Sequence, residues 1–204
     1  MRNSNVVLML TAAIAMMASR SAAPADAAES VTIRADEIGK CGLKPEAVSR
    51  LLSLDADAFD QSFEGFRSLG LRQCYVDAAL VIDLYLSENS GKLAPNAQNL
   101  MKFHAGQMYA HAGETLYSIA ARRMNESTKD SSPSWQAYVA ATKAFLHRDL
   151  PELRMQRGVL ASLPDSPANK LNLSVVDRLI KYFEKPYAEA YSPQPLPFPG
   201  SPPN

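Results

Sequence analysis

The stretch from Asn99 to Asn125, NLMKFHAGQMYAHAGETLYSIAARRMN, decides the fold because it contains two helical segments joined by a tight turn. The first segment has an apolar stripe at helical spacing, formed by Met101, Ala105, Met108 and Ala112. Gly113 stands where this segment would end, and its tolerance of positive φ suits a helix-ending turn. A second segment begins at Glu114, so the stretch predicts an antiparallel helix pair.

The chain on either side repeats this pattern of helical stripes separated by turn residues. Pro45 opens a short helix, the segment from Leu71 to Leu86 is strongly apolar, and Pro133 to Pro164 has the length of another hairpin. Ser174 begins a further helix. We therefore predict an all-α domain of seven or eight helices, stacked as antiparallel hairpins. Three phenylalanines at i, i+4 and i+7 predict one core stripe, namely Phe59, Phe63 and Phe66.

A glycine inside the first segment needs a packing reason, since glycine costs about 0.5–1 kcal/mol relative to alanine in a helix. For Gly106 we expect close approach of a second helix. Together, Gly106, Tyr109 and Gly113 resemble the small, aromatic and turn-glycine positions in the first helix of a tetratricopeptide hairpin. The match covers about half a repeat, and Ser118 and Arg122 depart from the pattern of the second helix.

The resemblance implies a concave surface, which in the tetratricopeptide family commonly receives extended peptides or segments of a partner. The side chains that it places there are Leu100, Phe103, Gln107, Ala110 and His111, here named the recognition strip. The residues themselves point the same way, because Lys102 is the only charged residue along this helix, and a solvated face normally carries more charge. The alternative is that another helix, such as the one after Leu71, covers the recognition strip.

The first 27 residues have the pattern of a signal peptide, with Arg2 ahead of an apolar run from Val6 to Ala18. That run is shorter than the roughly 20 residues that span a bilayer. Ala25-Asp26-Ala27 predicts cleavage after Ala27. We therefore expect a periplasmic or secreted protein with no membrane span in the mature chain. The expected organisation is a signal peptide (1–27), one helical domain (28–191) and a proline-rich, extended or disordered tail (192–204).

Two cysteines, Cys41 and Cys74, follow the predicted cleavage site. In an oxidising compartment such a pair predicts one disulfide, with two buried thiols as the alternative. The Cys-x-x-Cys spacing of a metal site is absent.

Motifs for catalysis, cofactor binding and nucleic-acid binding are missing from the sequence. The formal net charge is zero, and the Arg122-Arg123 pair is interpreted as part of a solvated helix face. Asp77 and Asp83 lie six residues apart, a spacing that does not favour paired-carboxylate catalysis. His104 and His111 share a helix face but lie two turns apart, about 10 Å, which is too far for one metal ion. We expect no catalytic residues, metal or cofactor.

The sequence therefore favours an exported, non-enzymatic protein that binds another protein or a peptide as a scaffold or adaptor. One alternative is an immunity or inhibitor protein that neutralises a toxin or enzyme in the periplasm. A second alternative is a metal-dependent hydrolase that uses the histidine face. We expect no nucleic-acid partner.

Overall fold

The computed structural model of the protein describes residues 41–129 and 131–192. Within these ranges every regular element is a helix, which confirms the all-α prediction. The α-helices are α1 Pro45–Leu52, α2 Ala56–Gln61, α3 Arg67–Leu71, α4 Tyr75–Asn89, α5 Pro95–Ala112, α6 Tyr117–Glu126, α7 Pro133–Leu146, α8 Leu150–Ser162, α9 Pro167–Lys181 and α10 Tyr187–Tyr191. The predicted signal peptide, and the predicted tail beyond Ser192, lie outside the described residues.

The described ranges contain ten α-helices, more than the seven or eight predicted, because three of them are very short. Helices α2, α3 and α10 have six, five and five residues. Elements of this length hold too few turns to show a repeating apolar stripe. The start of α9 also differs from the prediction, since it begins at Pro167 rather than near Ser174. The hydroxyl of Ser166 caps it by accepting the backbone N–H of Asn169 at 3.1 Å.

The close approach predicted at Gly106 is present between α5 and α6. A Cβ atom at Gly106 would lie 2.6 Å from Cγ of Met124 and 2.8 Å from the carbonyl oxygen of Ala120. At the end of α5, Gly113 has φ +136°, in the region that favours glycine. These two glycines let the central helices pack tightly and let the chain reverse between them.

Two apolar clusters form the core, and α5 contributes to both of them. The first cluster is built by α1 to α5 around Phe59, which stacks on Tyr85 with ring centroids 3.8 Å apart. The second is built mainly by α5 to α10. Phe63 does not join the predicted aromatic stripe but is 62% exposed. Helix α2 ends at Gln61, so the helical spacing that linked Phe59 to Phe63 is interrupted.

Cys41 and Cys74 form a disulfide with their Cα atoms 5.9 Å apart, as the sequence predicts. The bond fastens the segment before α1 to the start of α4. Two hydrogen bonds support it: the backbone N–H of Cys41 donates to Oδ2 of Asp77 at 3.1 Å, and the guanidinium of Arg72 donates to the carbonyl oxygen of Cys41 at 3.1 Å.

Among the helices described, none combines the length and apolar character that a membrane crossing requires.

Candidate functional site between helices α4, α5 and α6

The recognition strip lies mostly inside the fold. Phe103, Gln107 and Ala110 are 2%, 7% and 1% exposed, and Leu100 and His111 are half-buried. The strip does share one side of α5, as the sequence predicts, but that side packs against other helices. Only Leu100 and His111 within the strip keep part of their surface exposed.

Helices α7 and α10 provide most of this cover. The ring of Phe103 lies 4.9 Å from that of Trp135 and 5.3 Å from that of Tyr138, both on α7. The amide of Gln107 donates to the hydroxyl of Tyr187 on α10 at 3.3 Å. Covering of the strip by another helix, such as the one after Leu71, was the alternative interpretation of the sequence. That helix is α4, and its Tyr75 covers part of the strip by stacking on His111.

His111 packs among three tyrosine rings rather than facing a partner. Its imidazole stacks on Tyr75 at 5.1 Å and meets the edges of Tyr187 and Tyr191 at 5.2 and 5.6 Å. The buried Nδ1 forms no hydrogen bond with the described residues. Burial lowers the pKa of His111 to about 4, so the ring is neutral at neutral pH.

The other histidine of the predicted face, His104, has a different environment. Its Nδ1 lies 2.7 Å from Oδ1 of the buried Asp60, and this contact joins α5 to α2. His104 and His111 are therefore not brought to one site. Among the described residues, no group of three or more His, Cys, Asp or Glu side chains could hold a metal ion. These contacts give no geometric support to a metal-dependent hydrolase at the histidine face.

A polar pocket of about 380 Å³ opens on the opposite side of the central helices. It lies where the second half of α4, the turn after it, the start of α5 and α6 meet. Its lining residues are Asp83, Leu86, Ser87, Ser90, Gln98, Lys102 and Arg123. The pocket is at the low end of the size range of small-ligand sites.

Asp83 forms the floor of this pocket. Its side chain is 2% exposed, and Oδ2 accepts hydrogen bonds from the hydroxyl of Tyr109 at 2.9 Å and from the guanidinium of Arg123 at 3.0 Å. The other carboxylate oxygen, Oδ1, is buried and has no hydrogen-bond partner in the described structure. Burial raises the pKa of Asp83 although Arg123 and Tyr109 oppose the shift. The existing donors therefore do not fully compensate the buried charge.

The rim of the pocket carries both hydrogen-bond acceptors and hydrogen-bond donors. The amide N–H₂ of Gln98 donates to the carbonyl oxygens of Ser90 and Leu93 at 2.9 and 3.0 Å, which leaves its Oε1 as an acceptor. Lys102 is half-buried and forms no ion pair with the described residues. Arg123 also pairs with Glu126 at 2.9 Å.

Sequence reasoning missed this pocket for two reasons. Asp83 was weighed only as a partner for Asp77, and Arg123 only as part of a solvated pair. A usable signal was present, because Asp83 interrupts the apolar run AALVIDLYL at a position whose neighbours face the core. A lone carboxylate in such a run requires a partner from another element. Which element supplies the partner depends on the packing of α6 against α4, which one sequence does not specify.

Comparison of this chain with protein-family models, with curated proteins and with solved structures gives no match.

Proposed function

We propose that the chain is an exported, non-enzymatic protein that binds a peptide or a segment of another protein, with tetratricopeptide-like hairpins as its scaffold. The polar pocket between α4, α5 and α6 is the anchor of this interaction. The recognition strip then serves to pack α7 and α10 against α5, and the contact surface lies on the other side of the central helices.

The observation that carries the proposal is the unpartnered Oδ1 of Asp83 beneath a rim that bears Lys102. A buried carboxylate oxygen needs a donor, and an ammonium group without an ion pair needs an acceptor. Peptides present both kinds of group a few ångströms apart along their backbone. The hydroxyls of Ser87 and Ser90 and the amide oxygen of Gln98 add further polar positions for the same ligand.

Site-specific photo-crosslinking tests the proposed function. A benzophenone side chain is placed at Ser87 on the pocket rim, or at Gly158 on an exposed face of α8 as the control. Irradiation in the native exported fraction should give a discrete crosslinked product from position 87 only. The same product from both positions, or no product from position 87, would count against a binding site in this pocket.

Export has its own test, which is the intact mass of the protein recovered from its native source. Removal of residues 1–27 is expected. A mass that retains the leader would contradict the proposed compartment.

A further inference from the structure

We infer that the pocket recognises the free amino-terminal residue of a peptide, with the α-ammonium group at Asp83 and the first carbonyl oxygen at Lys102. The inference rests on the proposed function and names the part of the peptide that is bound. It follows from the distribution of acceptors and donors around the pocket.

Two of the residues that line the pocket, Asp83 and Gln98, carry oxygen acceptors. Asp83 offers the buried Oδ1, and Gln98 offers Oε1 because its N–H₂ group is held by two backbone carbonyls. Burial raises the pKa of Asp83 although Arg123 and Tyr109 oppose the shift, so these two donors only partly compensate its charged form. An ammonium group has three donors and a full charge, and it matches such a set of acceptors better than a neutral N–H does.

The cationic side chains exclude simpler ligands. A metal ion or an isolated cation at Asp83 would leave Lys102, which also lines the pocket, without an acceptor. A phosphate or sulfate at Lys102 would be repelled by Asp83 and by Glu126, which lies against Arg123. A ligand that places an ammonium group next to an electron-rich oxygen offers a donor to Asp83 and an acceptor to Lys102. The first residue of a peptide has this arrangement, whereas the ammonium group of a lysine side chain has no neighbouring carbonyl.

The size of the pocket fits the same ligand. Its volume of about 380 Å³ is far larger than the roughly 30 Å³ occupied by one water molecule in the liquid. The space can hold one terminal residue and the start of the next, but not a folded segment. The rest of the peptide would leave through the open side of the pocket.

Two peptide pools distinguish this inference from its alternatives. The probe is a random hexapeptide pool prepared with free amino termini, and the matched pool carries amino-terminal acetyl groups, which remove the charge. Each pool is passed over the immobilised full-length protein, and the retained peptides are quantified by mass spectrometry. The free pool should be retained at least about tenfold better than the acetylated pool, a difference that corresponds to about 1.4 kcal/mol.

Three variants assign the retention to the pocket. Asp83→Asn keeps the shape of the carboxylate, and Lys102→Met keeps the length of the side chain without its charge. Arg154→Met, on the exposed side of α8, is the control. Asp83→Asn and Lys102→Met should each reduce retention of the free pool, and Arg154→Met should not. If Asp83→Asn unfolds, as its melting curve would show, Lys102→Met alone decides the assignment.

The outcomes separate the inference from the proposed function. Equal retention of both pools, lost in Lys102→Met, would overturn recognition of the amino terminus while supporting peptide binding at the pocket. Retention of neither pool would overturn both. Retention of the free pool that is unchanged in Lys102→Met and Asp83→Asn would place the binding elsewhere and overturn the inference.

Discussion

Among single residues, Gly106 is the position where the packing of α5 on α6 allows no side chain. The Cβ atom of Gly106→Ala would lie 2.8 Å from the carbonyl oxygen of Ala120, which is backbone and cannot move aside. Overpacking of this kind costs about 1–3 kcal/mol, more than the gain of up to about 1 kcal/mol in helix propensity. We therefore expect Gly106→Ala to lower the free energy of unfolding, measured by urea denaturation.

Gly158 on α8 is the matched control for this substitution. Nothing lies within 4 Å of a Cβ atom built there. Gly158→Ala should therefore stabilise the protein by about 0.5–1 kcal/mol. Equal changes in the two variants would show that helix propensity, and not the contact between α5 and α6, determines the effect at Gly106.

His111 makes the stability of the protein depend on pH. Its pKa is about 4 in the folded protein, against the ordinary value of 6.5 for a histidine side chain. Between these values the unfolded chain binds a proton at His111 that the folded protein does not bind. The stabilisation that neutral His111 gives to the folded protein is therefore complete above about pH 6.5. It is lost as the pH falls toward 4. The expected loss from this residue is on the order of 3 kcal/mol.

His111→Phe isolates this contribution, because it keeps an aromatic ring among the tyrosines and removes the titrating group. The unfolding free energy of both proteins is measured from pH 7 to pH 4. The variant should lose less stability over this interval than the wild type. Identical pH profiles would mean that His111 is not the group responsible.

At the level of elements, α10 holds the C-terminal half of the core together although it has only five residues. Tyr187 is completely buried, and its backbone N–H donates to the hydroxyl of Tyr117 at 2.7 Å. The guanidinium of Arg148 bonds to the carbonyl oxygens of Phe183 and Lys185 and holds the segment that leads into α10.

Ending the chain after Lys185 removes α10 and should cost at least about 3 kcal/mol, comparable to deleting one large buried aromatic side chain. For a protein of this size, that loss corresponds to a decrease in Tm of at least about 6 °C. A chain that ends after Ser192 lacks only the proline-rich segment and is the control, with an expected Tm close to that of the full chain. If both truncations melt at the same temperature, α10 is not the stabilising element.

The long helices could be predicted from sequence, and the short ones could not. The apolar stripe of α5 predicts one of its buried sides over about three turns, and its two glycines mark the partner helix and the turn. By contrast, α10 contains too few residues for a periodic signal, so the cover that it provides for Gln107 and His111 was not foreseen. The same limit explains Phe63, whose spacing from Phe59 suits a helix that in the structure has already ended at Gln61.

At the scale of the whole molecule, the Cys41–Cys74 disulfide fastens the beginning of the described chain to α4. The residues are 33 positions apart, and closing a loop of this length stabilises a protein by about 3–4 kcal/mol in the chain-entropy model. We expect reduction with dithiothreitol to lower the Tm. Alkylation of the denatured, unreduced protein should label no thiol.

The double variant Cys41→Ser/Cys74→Ser is the control for reduction. It should melt at the lower temperature and should not respond to dithiothreitol. A wild-type Tm that reduction leaves unchanged would show that the bond adds nothing to the stability of the folded chain.

The all-α architecture and the disulfide follow from patterns that a single chain displays, namely helical spacing, turn residues and a pair of cysteines. The pocket does not follow from such patterns, because it depends on how three separate helices meet. Asp83, Lys102 and Arg123 belong to α4, α5 and α6, and nothing in their spacing along the sequence shows that they surround one cavity. The sequence does show one requirement for the pocket, which is a carboxylate within an apolar helix.

The single tryptophan of the chain is placed where it can report on these contacts optically. Trp135 packs on Phe103 and Tyr138, and its indole N–H donates to the carbonyl oxygen of Ser127 at 3.1 Å, in the connection between α6 and α7. Separation of α7 from α5 would expose the indole to water and shift its fluorescence emission to longer wavelength. One unlabelled signal, free of overlapping emission from a second indole, therefore follows the contact between α5 and α7 within the second apolar cluster in every unfolding experiment described above.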